Sequence, residues 1–122
     1  GLRPPGNSDT AGTQPFATNP WHGVALMALR RNGRGFRFSA DESVPTPAAV
    51  ETYTRNGAFA GFEEDRKGRL APGFLGDLAV YADDPYGLDP ERLPDLEADL
   101  TVVGGRVAWR RGDVVTPRPG AA

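Results

Sequence analysis

The sequence contains no cysteine and a single histidine, His22, and these two scarcities exclude several classes of function. Without cysteine, the chain has no disulfide, no thiolate metal site and no cysteine nucleophile. A zinc site usually needs about three or four protein ligands, drawn mainly from histidine and cysteine. The chain therefore cannot build an ordinary histidine-rich metal site by itself, and a Ser-His-Asp catalytic group would depend on His22.

The sequence also lacks a strong charge imbalance and a long apolar run. Its 14 Lys and Arg residues face 16 Asp and Glu residues, for a net charge of −2. This balance argues against nonspecific binding to nucleic acid or to a membrane surface. No apolar run approaches the roughly 20 residues needed to cross a bilayer. The N-terminus has no signal-peptide pattern, and Gly1 is interpreted as the point at which a longer sequence was cut. We therefore expect a cytoplasmic protein without nucleic-acid or membrane partners.

Glycine and proline, in contrast, are abundant. The 16 glycines and 12 prolines form nearly a quarter of the 122 residues, which is close to the level typical of disordered chains. Part of this excess lies at the two ends, whereas the middle keeps regular apolar patterning. The composition therefore predicts one small, loop-rich folded body with frayed ends.

The first predicted helix begins at Asn19, a suitable cap, and Pro20 fits its first turn. Asn32-Gly33 provides a stop signal. The residues between them leave almost no polar face, which is typical of a helix buried on two sides. Since one small domain rarely buries a helix on both sides, we expect another chain, or a second copy of this one, to cover Trp21, Val24 and Leu29.

A second helix is predicted to begin at Thr46-Pro47, which repeats the pattern of a capping residue followed by proline. Asn56-Gly57 could end this helix, or it could continue to about Ala60. The intervening residues 33–45 are predicted to connect the two helices, with Phe36 and Phe38 as apolar anchors.

From Arg69 onward the apolar period changes from 3.6 towards 2, which predicts strands. One strand is expected over residues 77–81, followed by a long irregular connection over 82–97. Residues 100–103 and 106–109 flank Gly104-Gly105 and predict a hairpin, because glycine accepts the positive φ of primed turns. Val114-Val115 is a candidate for a further strand. The sequence therefore predicts two helices followed by three or four strands, and the boundary between the helical part and the strand part falls near residues 61–68.

Two residues are candidates for catalysis or metal binding. Asp9, in the turn-rich run 7–10, would suit catalysis if it followed a barrel strand. The same run is typical of a turn in which the aspartate binds its own backbone, and spacing alone favours this turn. His22 has no histidine or glutamate partner three or four residues further on, which favours a packing or surface role.

Three other patterns favour structural interpretations. The arginine-rich run 34–38 faintly resembles the aromatic motif of RNA-recognition domains but lacks the surrounding element order. Arginines are also expected near the C-terminus of a helix. The acidic residues between 83 and 95 do not follow the spacing of a calcium loop, and no glycine-rich run continues into a phosphate-binding Lys-Ser/Thr pair.

Four segments, taken in order, resemble the C-terminal end of metal-dependent amidohydrolases of the family 3 type, especially the branch that contains N-substituted formamide deformylase. The match extends over roughly residues 7–113. The helical segment corresponds to a Tyr-Thr-x-Asn-x-Ala-like run, and the last segment corresponds to a Thr-Val-Val-x-Gly-like hairpin. The four segments are 49–58, 67–73, 76–81 with Asp84-Pro85, and 101–109.

The resemblance implies an α+β fragment of a larger fold. Residues 1–62 would be the last strand end and the closing helices of a (β/α)8 TIM barrel. Residues 63–122 would be part of a small β-sandwich with a frayed tail. Asn7-Ser8-Asp9 would correspond to the family's Ser-Asp at the end of the eighth barrel strand, although Asn7 stands where the family often has glycine. A complete barrel needs roughly 200 or more residues, so the remainder would lie outside these 122 residues.

The same resemblance implies a function. The chain would be the C-terminal segment of a hydrolase of amide- or formamide-type C–N bonds, inactive alone, with a divalent metal, zinc, in the complete enzyme. Asp9 would be the catalytic base and would share the metal with ligands outside this chain. The partners would be the N-terminal remainder of the barrel or another copy of the chain, with a small amide as substrate. Without the resemblance, the residues leave an alternative function open, that of a non-catalytic α+β binding or scaffold module.

Overall fold

The computed structural model describes residues 1–8, 18–32 and 34–112 of the chain. Within these ranges, three α-helices precede a three-stranded antiparallel sheet, which confirms the predicted α+β order. Two short 3₁₀ helices occupy Ala40–Glu42 and Pro90–Asp95. The helices are α1 (Pro20–Leu29), α2 (Thr46–Tyr53) and α3 (Arg55–Ala60), and the strands are β1 (Leu78–Val80), β2 (Leu100–Val103) and β3 (Arg106–Arg110).

Helix α1 begins where the sequence predicts and ends earlier. The Asn19 Oδ1 atom accepts a hydrogen bond from the Trp21 N–H at 3.0 Å, which confirms the predicted cap. The helix ends at Leu29 because Arg30 adopts a left-handed conformation, with φ of 50°, and donates its N–H to the Leu26 carbonyl. Asn32, predicted to be part of the stop signal, instead accepts backbone hydrogen bonds within the turn that follows the helix.

Helices α2 and α3 follow the longer of the two predicted courses, with a break at Thr54. Thr46 is not the cap: it is the first helical residue and is buried, whereas Pro45 precedes it without a side-chain hydrogen bond. At the break, the Thr54 hydroxyl donates to the Val50 carbonyl at 3.0 Å. Such back-bonding is known to bend helices, and here the chain resumes as α3 and continues to Ala60.

The core is formed around α1 by α2 and by the 3₁₀ helix Pro90–Asp95. Trp21, Val24 and Ala25 of α1 pack with Ala49 of α2 and with Leu93 of the 3₁₀ helix Pro90–Asp95. The connection over residues 82–97, predicted to be irregular, therefore contains a helical turn that closes the core. Its position is reinforced by a hydrogen bond of 3.0 Å from the Asn19 side-chain amide to the Pro94 carbonyl.

The chain itself covers two of the three residues that were expected to need a partner. Trp21 and Val24 are buried, and the Tyr81 ring meets the Trp21 ring edge-on with centroids 5.4 Å apart. Leu29 is half-buried against the same core, whereas Leu26 stays 47% exposed on α1.

The prediction that Phe36 and Phe38 anchor the connection between the helices was wrong. Both rings are exposed, and an isolated bridge joins Arg31 to Arg37 on either side of Phe36. Phe38 packs instead under the Arg30 guanidinium, 4.6 Å from the ring centroid.

The sheet has the strand order β1-β2-β3 and contains the predicted hairpin. Gly104 and Gly105 both have positive φ, at 57° and 74°, as a two-residue primed turn requires. The start of β1 is tied to this turn, since the Gly104 N–H donates to Asp77 Oδ1 at 2.6 Å. The candidate strand at Val114-Val115 lies outside the described residues.

The described elements include no helix that has both the length and the apolar character needed to cross a membrane.

Candidate functional site

The segment that leads into Asn7-Ser8-Asp9 is attached to the junction between α2 and α3. Asp9 itself lies outside the described residues. Ahead of it, the Gly6 N–H donates to the Thr52 carbonyl at 2.8 Å. The Asn56 side-chain amide donates to the Pro4 carbonyl at 3.1 Å. These two hydrogen bonds hold residues 4–6 along the helical pair.

The Tyr53 ring fills the space between this segment and α1, and two glycines make room for it. A Cβ atom at Gly6 would lie 2.9 Å from Tyr53 Cε2 and 2.6 Å from Thr52 Oγ1. A Cβ atom at Gly23, in α1, would overlap the Tyr53 hydroxyl and lie 2.8 Å from Cζ. Burial raises the pKa of the Tyr53 phenol, so this side chain is a neutral packing group near pH 7.

The fit of Tyr53 against α1 gives a first testable prediction, the replacement Gly23→Ala. Alanine within a helix is ordinarily more stable than glycine by about 1 kcal/mol. Here we expect the substitution to destabilise the fold by about 1–3 kcal/mol, the usual cost of overpacking. Urea unfolding should show that the double variant Gly23→Ala/Tyr53→Phe, which removes the overlapping hydroxyl, recovers part of this loss. A Gly23→Ala variant more stable than the parent would contradict the prediction.

An open cleft of about 1230 Å³ lies beside Tyr53. It separates the helices from the segment around β1, and both apolar and charged side chains line it. Among the charged groups, Lys67 donates to Glu63 at 2.7 Å, and this hydrogen bond lowers the pKa of the Glu63 carboxyl. Trp21 also borders the cleft, and its buried indole Nε1 has no hydrogen-bond partner in the described structure. The cleft could therefore bury apolar groups beside an ion pair.

The described residues do not form a metal site by themselves. Across residues 1–8, 18–32 and 34–112, no three His, Asp or Glu side chains are grouped closely enough to hold an ion. His22 lies in the first turn of α1. A metal in the complete protein would need donors from outside these ranges.

The other charged candidates have structural roles. Arg30 pairs with Glu42 at 2.9 Å, and Arg31 pairs with Glu91 at 2.7 Å, so both arginines link the C-terminal end of α1 to other segments of the chain. In the acidic stretch, the carboxylates of Asp84 and Asp89 accept the N–H groups of the residues two positions further on. Both aspartates therefore stabilise local turns within the connection over residues 82–97.

Sequence reasoning did not identify the packing of Tyr53 between Gly6 and Gly23. The run containing Thr52, Tyr53 and Asn56 carries part of the family resemblance, but the pattern alone assigns these residues no contact. Gly23 was the available signal, because a glycine inside an apolar helix is costly unless something packs closely against it.

Comparison with known proteins identifies the class to which this fold and segment belong. Residues 1–109 match the model of the amidohydrolase family, and the chain belongs to that family. It also resembles the protein named "Putative amidohydrolase YtcJ" from Bacillus subtilis (strain 168), with 29% identity over 96 residues. This match covers 76% of the chain and 18% of the relative, in the relative's C-terminal part. No solved structure matches the chain significantly.

Proposed function

We propose that this chain is the C-terminal segment of a metal-dependent enzyme that hydrolyses amide- or formamide-type C–N bonds, within the branch that contains N-substituted formamide deformylase. The family match over residues 1–109 carries the proposal. The chain spans less than a fifth of the length of the curated relative, so the activity belongs to a larger assembly. The isolated chain would be inactive.

In this proposal, residues 1–62 complete a TIM barrel and residues 63–122 belong to a flanking β-sandwich. The helical pair α2–α3, with residues 4–6 attached to it, suits the closing helices beside a last barrel strand. The partner would be the N-terminal remainder of the barrel, or a second copy of the chain in its place. The complete protein would act in the cytoplasm.

Asp9 would be the catalytic residue that this chain contributes. A divalent metal, zinc, would supply the chemistry of polarising the carbonyl and lowering the pKa of water when bound. Asp9 would accept the proton of the attacking water and then deliver it to the leaving amine. Its carboxylate could also touch the metal, whose other ligands would come from outside this chain.

The test measures hydrolysis of a simple N-substituted formamide by the complete protein. Removing bound metal with a chelator should abolish turnover, and added Zn²⁺ should restore it, because the metal would polarise the carbonyl and lower the pKa of the attacking water. The same protein carried through dialysis without chelator is the control. Turnover that survives complete metal removal would contradict metal dependence, and no hydrolysis of formamides or simple amides by the zinc-loaded protein would favour the scaffold module.

A further inference from the structure

We propose that the open cleft beside Tyr53 is the docking surface for a segment from the N-terminal remainder of the complete protein. The segment would carry large apolar side chains, together with a lysine or arginine that faces the β1 side of the cleft. The inference rests on one part of the proposed function, namely that this chain is the C-terminal segment of a longer protein. It adds the surface of the chain that receives the remainder and the chemistry that this surface selects.

The cleft is larger and more open than a usual site for a small molecule. Its volume of about 1230 Å³ exceeds the range of about 300–1,000 Å³ that is typical of ligand pockets. Such pockets also enclose most of the surface of their ligand, whereas this cleft is open to solvent between the helices and the segment around β1. A groove of this size suits a segment of polypeptide, because it can cover several side chains at once.

The chain leaves large apolar side chains uncovered within the cleft. Leu70 and Tyr86 line it and are 69% and 58% exposed, and Val50 and Leu78 are half-buried there. Trp21 also borders the cleft, and its buried indole N–H has no acceptor in the described structure, which is rare in a complete fold. A docked segment with apolar side chains would remove this surface from water, which is the main driving force of protein association.

The charges that line the cleft are paired on one side and unpaired on the other. Two ion pairs, Arg55–Glu51 and Lys67–Glu63, neutralise the side formed by the helices and the loop that follows them. On the side around β1, three carboxylates line the cleft without pairing with any cation of the described residues: Asp77, Asp83 and Asp84. A cationic side chain of the docked segment would complement this side, and such complementarity selects the partner and its register.

The occupant is assigned to sequence outside this chain. The match to the curated relative covers 18% of that protein and lies in its C-terminal part, so most of the relative precedes the matched region. Within the 122 residues, the positions that the structure does not describe hold only three large apolar side chains: Phe16, Val114 and Val115. These three are divided between the two ends of the chain and do not make one continuous apolar segment.

Photochemical cross-linking in the complete protein identifies the occupant. A benzophenone amino acid is placed at Tyr86, which is aromatic and exposed, so the replacement is conservative. After irradiation and digestion, mass spectrometry should find the peptide around position 86 joined to a peptide from the N-terminal remainder that contains large apolar residues and a lysine or arginine. The matched control places the same amino acid at Phe36, which is 69% exposed and lies outside the cleft, and it should not capture that peptide.

The rate of cysteine labelling tests whether the cleft is covered at all. The chain has no cysteine of its own, so Leu70→Cys introduces a single reporter into it. In the folded complete protein, a maleimide should label this cysteine at least about tenfold more slowly than in the urea-unfolded protein. Phe36→Cys is the matched control, since Phe36 and Leu70 are equally exposed in this chain, and it should react at close to its unfolded rate.

Several outcomes would overturn the docking surface. Capture of residues 9–17, of residues 113–122 or of a second copy would give the cleft a different occupant. Capture of an N-terminal peptide without apolar and basic residues would contradict the stated chemistry, and labelling of Leu70→Cys at its unfolded rate would show an uncovered cleft.

Hydrolysis of a simple formamide by the same protein keeps the two proposals apart. Turnover by a protein whose cleft has a different occupant, or none, overturns the docking surface and leaves the proposed activity in place. Docking of the N-terminal segment in a zinc-loaded protein without turnover overturns the activity and leaves the docking surface in place.

Discussion

Replacing Leu93 with alanine is expected to lower the free energy of unfolding by about 2–5 kcal/mol, the usual range for a buried leucine. Leu93 is 0% exposed and packs on α1 beside Trp21 and Val24. The cost depends on how far the surroundings can collapse into the cavity. Collapse is restricted here, because Asp89 caps the 3₁₀ helix at one end and the Asn19 amide holds the Pro94 carbonyl at the other. We therefore expect a value in the upper half of the range.

Urea unfolding of the chain, followed by the fluorescence of Trp21, measures this loss. The measurement should be made in a Trp109→Phe background, so that the signal reports only the core tryptophan. Leu70→Ala, at a leucine that is 69% exposed, is the matched control and should change the unfolding free energy by less than about 0.5 kcal/mol. If Leu93→Ala costs no more than this control, the 3₁₀ helix does not close the core.

Local signals predicted the elements whose ends are determined by a few neighbouring residues. The cap at Asn19 and the hairpin at Gly104-Gly105 require only a side-chain oxygen or a tolerance for positive φ at one position, and both were confirmed. Contacts between distant residues were not predictable in this way. Leu93 lies in a proline-containing stretch without helical periodicity, yet it packs on α1, about seventy residues earlier in the sequence.

The same distinction applies to the candidate site. Family resemblance singled out Asp9, and no local rule could have done so, because residues 7–10 match an ordinary turn equally well. The attachment of residues 4–6 to the α2–α3 junction depends on the Asn56–Pro4 contact, which joins positions 52 residues apart. Such contacts form only when the chain folds back on itself, so the apolar periodicity of the sequence does not indicate them.

Replacing Asp9 with asparagine in the complete protein is expected to lower kcat for a simple formamide by about 10²–10⁴-fold, the usual contribution of a positioned acid or base. Asparagine has nearly the same shape as aspartate but cannot accept the proton of the attacking water or return it to the amine. KM should change little, because the substitution removes a group that acts mainly in the transition state.

The measurement must separate loss of the base from loss of the metal, since Asp9 could also touch the ion. Zinc content per chain should therefore be determined for every variant, and kcat should be compared at equal metal occupancy. Asp65→Asn, at an exposed aspartate in the loop after α3, is the matched control and should keep the parent kcat. A zinc-loaded Asp9→Asn enzyme with unchanged turnover would falsify the role of Asp9 as the base. The proton acceptor would then have to be another residue of the complete protein.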